Sequence, residues 1–288
     1  MSTFKESLLT RFEEFRKHGI FLISKSSLKP SVNINSSIVL LGPDHPWGKL
    51  DEESKRLQTE IYNEYKHLIE IGKSILANAL PEAKEKYEAE IGLLLDKIEQ
   101  KNMTWHETIS EVEEYFKKGL ENQVESINSV HGKIGDGKLL IPDTNVFIAN
   151  PNFHKYRIPR KSCIIFLPTV LGELDRLKVE HGNENVRNKA ATAIRNIKEY
   201  RRRGKLLDGV KITDKLSAYT IAVEPKFEDK PSWLDPNNKD DRFIATCLEV
   251  AAKCPDSEIA ILTLDINMQN KAEFALFPYL DAEEAGFI

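Results

Sequence analysis

The sequence predicts an α/β fold in the C-terminal half, residues 136–288, preceded by a mainly helical domain of unknown role, residues 1–135. After residue 137, short apolar segments alternate with helical segments, which is typical of a three-layer α/β/α fold with a mostly parallel sheet. Before residue 131, apolar residues recur at steps of three and four over long stretches, which is typical of antiparallel helices. Between the halves, residues 131–137 contain three glycines and lack apolar periodicity, so we place the domain boundary there.

The N-terminal half is predicted to begin with a helix over residues 3–18 that ends at Gly19. Two short apolar runs that follow are interpreted as strands, at residues 20–24 and 37–42. Three long helical segments come next, at residues 51–79, 81–99 and 104–130. Thr104 and Glu107 have the spacing of a capping box, in which two side chains accept hydrogen bonds from free backbone N–H groups, so the last helix is expected to start there.

In the C-terminal half, the apolar run that ends at Pro142 predicts a strand buried on both faces, because proline cannot donate to a sheet and marks the strand's end. Further strands are predicted at residues 162–167, 210–213, 259–264 and 275–279. Helices are predicted from Pro168 onwards, at residues 185–203, and at residues 240–252. Gly204 is expected to stop the second of these helices.

Composition and charge restrict the classes of function. Hydrophobic residues make up 41% and charged residues 30% of the 288 residues, which suits a globular protein with a sizeable core. The net charge of -4 means that a polyanion must be attracted by a local basic patch. Three cysteines without CxxC spacing fit a reducing, cytoplasmic environment. Residues 1–16 carry acids, unlike a secretory signal, and no apolar run approaches the ~20 residues of a membrane helix, so no membrane partner is expected.

Asp143 follows the first C-terminal strand, at the rim of the sheet where α/β proteins bind ligands. A carboxylate in this place is positioned to hold a cation. It could equally serve as the N-cap of the next helix, as aspartate often does. This residue alone does not decide between the two interpretations.

Further acidic positions lie at the edges of predicted elements on the same rim. They are Glu173 in the first turn of a helix, Asp241 with Asp240 beside it at the start of another helix, and Asp265 after the strand at residues 259–264. Clustered carboxylates repel one another unless a divalent cation neutralises them. Their oxygens suit Mg²⁺ or Mn²⁺, and such sites commonly cleave phosphodiesters. The alternative is that these acids are helix caps and salt-bridge partners.

The order and spacing of these motifs resemble the PIN domain, a metal-dependent nuclease fold, over roughly residues 137–282. The segments that carry the resemblance are Asp143-Thr144-Asn145, residues 171–178, Asp240-Asp241-Arg242-Phe243-Ile244-Ala245, and residues 262–267 followed by Lys271-Ala272. The resemblance implies that the catalytic, metal-binding acids are Asp143, Glu173, Asp241 and Asp265. Asp241 is preferred because the family's acid directly precedes an Xaa-Xaa-Ile-Ala pattern, and Asp240 is then an accessory metal ligand. Thr144 and Asn145 are expected to orient Asp143, and Thr263 is a further residue expected to support the acids.

One predicted helix and its flanks concentrate positive charge. The residues concerned are Arg176, Lys178, Arg187, Lys189, Arg195, Lys198, Arg201, Arg202, Arg203 and Lys205. Because the apolar face of this helix is expected to pack inward, its remaining surface is cationic and suits a phosphate backbone. An ordinary solvated basic helix is the alternative.

These observations predict an endoribonuclease that depends on Mg²⁺ or Mn²⁺ and uses a four-carboxylate site. RNA is preferred as the partner because most proteins that resemble this family cut RNA. The alternatives are a DNA-directed nuclease of the flap or single-strand type and a non-catalytic scaffold. The helical half is expected to bind a protein partner, to self-associate or to govern substrate choice.

Overall fold

The computed structural model describes residues 2–29, 45–158, 160–221, 224–284 and 286. The chain divides into two compact units. The α/β unit consists of Met1–Ser7 and His131–Ile288, and the helical unit consists of Leu8–Val130. The domain boundary drawn from the sequence at residues 135/136 stays a prediction.

The helical unit contains four long helices among the residues that the structure describes. They are α1 (Phe4–Ser24), whose first residues belong to the α/β unit, α2 (Glu52–Ile75), α3 (Pro81–Glu99) and α4 (Ile109–Asn128). Their apolar faces form the core, in which the rings of Phe15 and Tyr65 stack with centroids 4.9 Å apart. The buried Tyr65 hydroxyl donates to Gln123 Oε1 at 3.0 Å, so this phenol keeps a hydrogen bond within the core.

Helix α1 corrects two predictions from the sequence. It continues through Gly19 to Ser24, so the strand predicted at residues 20–24 is wrong. A Cβ atom at Gly19 would lie 2.4 Å from Phe116 Cε1, which shows that this glycine permits close packing and does not end the helix. The strand predicted at residues 37–42 lies outside the described residues.

Helix α4 begins later than the sequence predicted. Its N-cap is Thr108, whose hydroxyl and the carboxylate of Glu111 form the capping box. Thr104 instead exchanges two backbone hydrogen bonds with His45, at 2.6 and 2.9 Å. This pairing holds Thr104 in extended backbone, so the expected capping box with Glu107 does not form.

Within the described residues, the α/β unit is built on a six-stranded sheet of order β3-β4-β2-β1-β5-β6. The strands are β1 (Lys138–Pro142), β2 (Ser162–Phe166), β3 (Val210–Lys211), β4 (Leu216–Thr220), β5 (Ile259–Thr263) and β6 (Tyr279–Asp281). All neighbouring pairs are parallel except β3 with β4. The predicted mixed α/β fold with a mostly parallel sheet is therefore confirmed.

The helices of the α/β unit connect these strands. They are α5 (Thr144–Ala149), α6 (Pro168–Glu180), α7 (Glu184–Arg203), α8 (Lys239–Lys253) and α9 (Ile266–Phe274). Helix α6 starts at Pro168, as predicted, and Glu173 lies in its second turn and not in the first as expected. Gly204 follows α7 as predicted, but with an extended backbone (φ 173°) and not a left-handed one.

Two strand predictions need correction. The sequence did not predict β4, because its residues alternate between buried and half-buried positions and form no continuous apolar run. The strand predicted at residues 275–279 is β6 at Tyr279–Asp281. Ala275 ends α9, and Leu276 has a positive φ of 62°, so the chain is still turning where the strand was predicted to begin.

None of the described helices is both long enough and apolar enough to span a membrane.

Candidate active site

The strands β1 and β5 lie side by side in the sheet and bring their carboxyl ends to the same rim. Pro142 pairs with Leu262, and the backbone N–H of Asp143 donates to the Leu262 carbonyl at 2.9 Å. From β1 the chain first builds outward to β2 and β4, and later returns to place β5 on the other side of β1. Such a reversal of strand order opens a crevice at the carboxyl ends of the strands, which is where open α/β sheets bind ligands.

Asp143 lies at this crevice with only 5% of its surface exposed. Its Oδ1 accepts a hydrogen bond from the backbone N–H of Val146 at 3.0 Å, which makes it the N-cap of α5. Its other oxygen accepts a short hydrogen bond from the Thr263 hydroxyl. Asp143 is thus the N-cap of α5, and the same carboxylate also lines the crevice.

Burial raises the pKa of Asp143 from 3.8 to about 6. Hydrogen bonds from Thr263 and from the backbone of Val146 and Asn145 lower this pKa, and the negative charge of Asp265 raises it further. The carboxylate is therefore held by neutral donors in a desolvated place beside a like charge. A cation bound here would remove the cost of ionising it.

Asp265 and Asp143 are connected through one hydroxyl. The Thr263 oxygen accepts a hydrogen bond from the backbone N–H of Asp265 at 3.0 Å while its proton is donated to Asp143. The Asp265 side chain caps α9 by accepting from the Asn267 N–H at 2.8 Å. Thr263, which is fully buried, is thereby hydrogen-bonded to both acids.

Glu173 approaches the same crevice from α6. Its Oε2 accepts a hydrogen bond from the Thr144 hydroxyl at 2.7 Å, which ties it to the residue after Asp143. Its Oε1 lies 3.1 Å from Lys239 Nζ and 3.5 Å from an Arg176 guanidinium nitrogen. Thr144 thus orients Glu173, whereas the sequence had associated it with Asp143.

The two neighbouring aspartates at the start of α8 face different surroundings. Asp241 is buried, and its carboxylate accepts from the Asp235 backbone N–H at 3.1 Å and from Lys271 Nζ at 2.6 Å. Asp240 has 43% of its side chain exposed and lies 3.7 Å from Lys271 Nζ. Asp241 is therefore held within the protein, and Asp240 is the more accessible of the pair.

A cleft of about 550 Å³ brings these groups together. Among the described residues, its acidic lining is Asp143, Glu173, Glu224, Asp240 and Asp265, and it does not include Asp241. Glu224 lies 3.6 Å from Arg242 at the same cleft and is not one of the acids predicted from the sequence. Basic residues at the same cleft are Arg176, His181, Lys239 and Arg242. The crevice at the change of strand order thus carries carboxylates from four separate elements, with cations around them.

Comparison with known protein families identifies this unit. Residues 140–282 match the PIN domain. The C-terminal half of the chain is a PIN domain. No curated protein matches the chain. The fold is that of a nuclease, and the match spans all of the cleft acids.

The structure places the predicted cations of the PIN domain in different surroundings. Arg187 donates to the carbonyls of His181 and Gly182 at 2.5 and 3.1 Å, so it holds the loop before α7. Lys178 pairs with Asp175, and the exposed Arg202 and Arg203 pair with Glu199. Lys189 is half-buried, and the exposed residues are Arg195, Lys198, Arg201 and Lys205. Apart from Arg176, these residues line the flank of the domain and not the cleft.

The donor set of this cleft suits a hard divalent cation, because every acid in it offers oxygen ligands. Among the residues that the structure describes, no three His, Cys, Asp or Glu side chains converge closely enough to share one ion. Glu173 instead pairs with Lys239, and Asp240 with Lys271. Both acids are partly exposed, and their oxygens suit Mg²⁺ or Mn²⁺ only if these two ammonium groups are displaced.

Sequence reasoning did not single out three basic residues of the cleft, Lys239, Arg242 and His181. Lys239 and Arg242 flank the acidic pair at the start of α8, so their closeness in sequence was a usable indication. His181 is a lone histidine after α6 and offered none.

Proposed function

We propose that this PIN domain is an endoribonuclease that hydrolyses RNA phosphodiester bonds with Mg²⁺ or Mn²⁺. The observation that carries the proposal is the convergence of Asp143, Glu173, Asp240 and Asp265 on one cleft at the change of strand order. Four acids from four elements at one crevice are costly to assemble for stability alone. A site for a divalent cation explains them together.

We assign the metal-binding role to these four cleft acids. Asp241, which the sequence favoured, is proposed instead to hold the start of α8 in place through Asp235 and Lys271. A bound divalent cation in such a site supplies a water of lowered pKa and stabilises charge on the phosphoryl oxygens.

The residues around the acids have separate tasks in this proposal. Thr144 and Thr263 fix the carboxylates of Glu173 and Asp143 by hydrogen bonds. Asp143 is ionised above a pH of about 6, so metal binding and activity are expected to rise with pH through that value. Asn145, which is exposed at the cleft, offers an amide to the substrate.

Basic side chains provide the attraction for a polyanion. Arg176, Lys239 and Arg242 line the cleft and are proposed to contact phosphates next to the scissile bond. The exposed cations of α7 extend this positive surface away from the cleft, which offsets the net charge of -4.

Cleavage of matched oligonucleotides tests the proposal. Wild-type protein, with Mg²⁺ or Mn²⁺, is expected to cut an RNA oligonucleotide, and EDTA is expected to stop it. Asp143→Asn is expected to be inactive while keeping its fold, as judged by circular dichroism. Cleavage that persists in EDTA would refute the metal site, and preferential cleavage of the matched DNA would replace RNA with DNA as the substrate.

A cytoplasmic location, and a protein partner or self-association through the helical unit, remain predictions from the sequence.

A further inference from the structure

The cleft extends beyond the acids into an apolar part. In α5, Thr144 is followed one helical turn later by Ile148, and in α6, Glu173 is followed one turn later by Leu177. Both apolar side chains line the cleft, and Val186 in the first turn of α7 closes it. In both helices, a residue at the acidic part of the cleft is therefore followed by an apolar residue about 6 Å further along the helix axis.

Two polar groups border this apolar part. The Thr169 hydroxyl lines the cleft and is buried, and within the described part of the chain it has no hydrogen-bond partner. His181 Nδ1 accepts a hydrogen bond from the Asn183 backbone N–H at 3.1 Å. Because Nδ1 accepts this hydrogen bond, Nε2 is the ring nitrogen that can donate to a ligand.

The combination matches the chemistry of an unpaired nucleobase. A base has flat apolar faces and polar edges, and proteins that bind single-stranded nucleic acid hold such bases against side chains while hydrogen-bonding their edges. The volume of about 550 Å³ lies within the range of small-ligand sites. Arg176 at the same wall is placed for the phosphate between the acids and the base.

We propose that Ile148, Leu177 and Val186, together with Thr169 and His181, form a pocket for one unpaired base next to the bond that is cut. The proposal rests on the proposed nuclease function and adds to it a binding position for one base. Duplex binding is expected to be weaker, because a stacked and paired base must be extruded before it can enter the pocket.

A scan with abasic nucleotides tests this pocket directly. A fluorescent single-stranded RNA oligonucleotide is bound to the Asp143→Asn variant in Mg²⁺, and its affinity is measured by fluorescence anisotropy while the base is removed from one position at a time. Removal at one position adjacent to the cut site is expected to weaken binding about tenfold, because the apolar contact between that base and the pocket walls is lost, and removal at other positions by less than about twofold.

Substitutions of the pocket residues test whether these residues cause the loss of affinity on base removal. Leu177→Ala and Val186→Ala are expected to abolish the difference in affinity between the intact and the abasic oligonucleotide. Val179→Ala, in the same helix but 71% exposed, is the control and is expected to retain the difference. His181→Gln, a polar substitution at the end of α6, tests the pocket without removing apolar packing and is expected to reduce the difference.

Equal weakening at every abasic position, or equal binding of duplex and single strand, would overturn the pocket. These outcomes concern binding, so they differ from failure of the proposed function, in which the wild-type protein would cut no oligonucleotide with Mg²⁺ or Mn²⁺. If base removal at one position weakens binding but the wild-type protein cuts no oligonucleotide, the pocket is supported and the nuclease function is rejected.

Discussion

At the scale of single residues, Asp143 is a buried carboxylate with no positively charged partner among the described side chains of the metal-free protein. Its carboxylate is buried, it is held by neutral donors, and burial raises its pKa to about 6. A rise from 3.8 to about 6 corresponds to roughly 3 kcal/mol of folding stability lost when the group is ionised. The protein without metal is therefore destabilised at neutral pH by the residue proposed to bind the metal.

Asp143→Asn is accordingly expected to stabilise the metal-free protein by about 1–3 kcal/mol at pH 7.5. The folded pKa is above the unfolded one, so the cost of ionisation is complete above about pH 6 and disappears towards pH 3.8. The gain should shrink to about a third at pH 4.5. Urea denaturation in EDTA at the two pH values measures it, and a gain that does not depend on pH would contradict the assigned pKa.

The neighbouring Asp240 and Asp241 are expected to respond differently to the loss of charge. Asp240→Asn should leave stability nearly unchanged, because the side chain is 43% exposed, and should reduce metal-dependent cleavage by roughly 100-fold. Asp241→Asn should cost about 1–2 kcal/mol of stability, because Lys271 loses its charged partner, and should reduce cleavage by less than about tenfold. Parallel denaturation and cleavage assays separate the two roles, and the reverse pattern would restore Asp241 as the ligand.

The sequence predicted which segments supply the acids but not which of two adjacent aspartates faces the cleft. Consecutive residues of a helix point about 100° apart, so the choice depends on how α8 is rotated against the sheet. That rotation is set by contacts from distant segments, namely the Asp235 backbone and Lys271. Thr263 was predictable because it ends a strand two residues before Asp265.

At the scale of elements, helix α1 shows that a glycine is not always a helix stop. Gly19→Ala should raise helix propensity but place a Cβ atom 2.4 Å from Phe116 Cε1, so we expect a net loss of about 1–3 kcal/mol. Gly92→Ala in α3, where an added Cβ meets nothing within 4 Å, is the matched control and should gain about 0.5–1 kcal/mol. Urea denaturation measures the stability of both variants. Stabilisation by Gly19→Ala would contradict the expectation and show that Phe116 can move to accommodate the added methyl group.

Helix α7 was predictable as a basic helix, but the use of each cation was not. Its apolar residues recur with helical spacing, whereas hydrogen bonds such as those of Arg187 to the preceding loop depend on where the chain turns. The strands show the same limit. The buried runs of β1, β2 and β5 were evident, but β4 at one side of the sheet alternates and was missed.

The exposed cations of α7 are expected to contribute affinity without base specificity. Replacing Lys198, Arg201 and Lys205 together by alanine should weaken RNA binding by roughly tenfold at low salt and flatten its salt dependence. Replacement of Lys17, Lys66 and Lys118, which are exposed in the helical unit, is the control. RNA affinities of both triple variants are measured over a range of salt concentrations. Equal effects of the two variants would show that α7 is an ordinary solvated basic helix.

At the scale of the whole molecule, the chain combines a PIN domain with a helical unit of separate core. Residues that precede the helical unit also belong to the α/β unit, where Phe4 packs on Phe277 with ring centroids 4.5 Å apart and Lys5 pairs with Asp256 at 2.5 Å. The order of segments in the sequence therefore did not reveal that the first residues complete the C-terminal fold, since that contact joins the two ends of the chain.

We propose that Asp143, Glu173, Asp240 and Asp265 together hold a divalent cation in one cleft. X-ray diffraction from crystals soaked in Mn²⁺ decides whether they do, because the ion has an anomalous signal. We predict an anomalous peak in the cleft, about 2.0–2.4 Å from carboxylate oxygens of at least two of these acids, and its loss in Asp143→Asn. A fully soaked crystal without a peak in the cleft, with the Lys239–Glu173 ion pair intact, would contradict the claim.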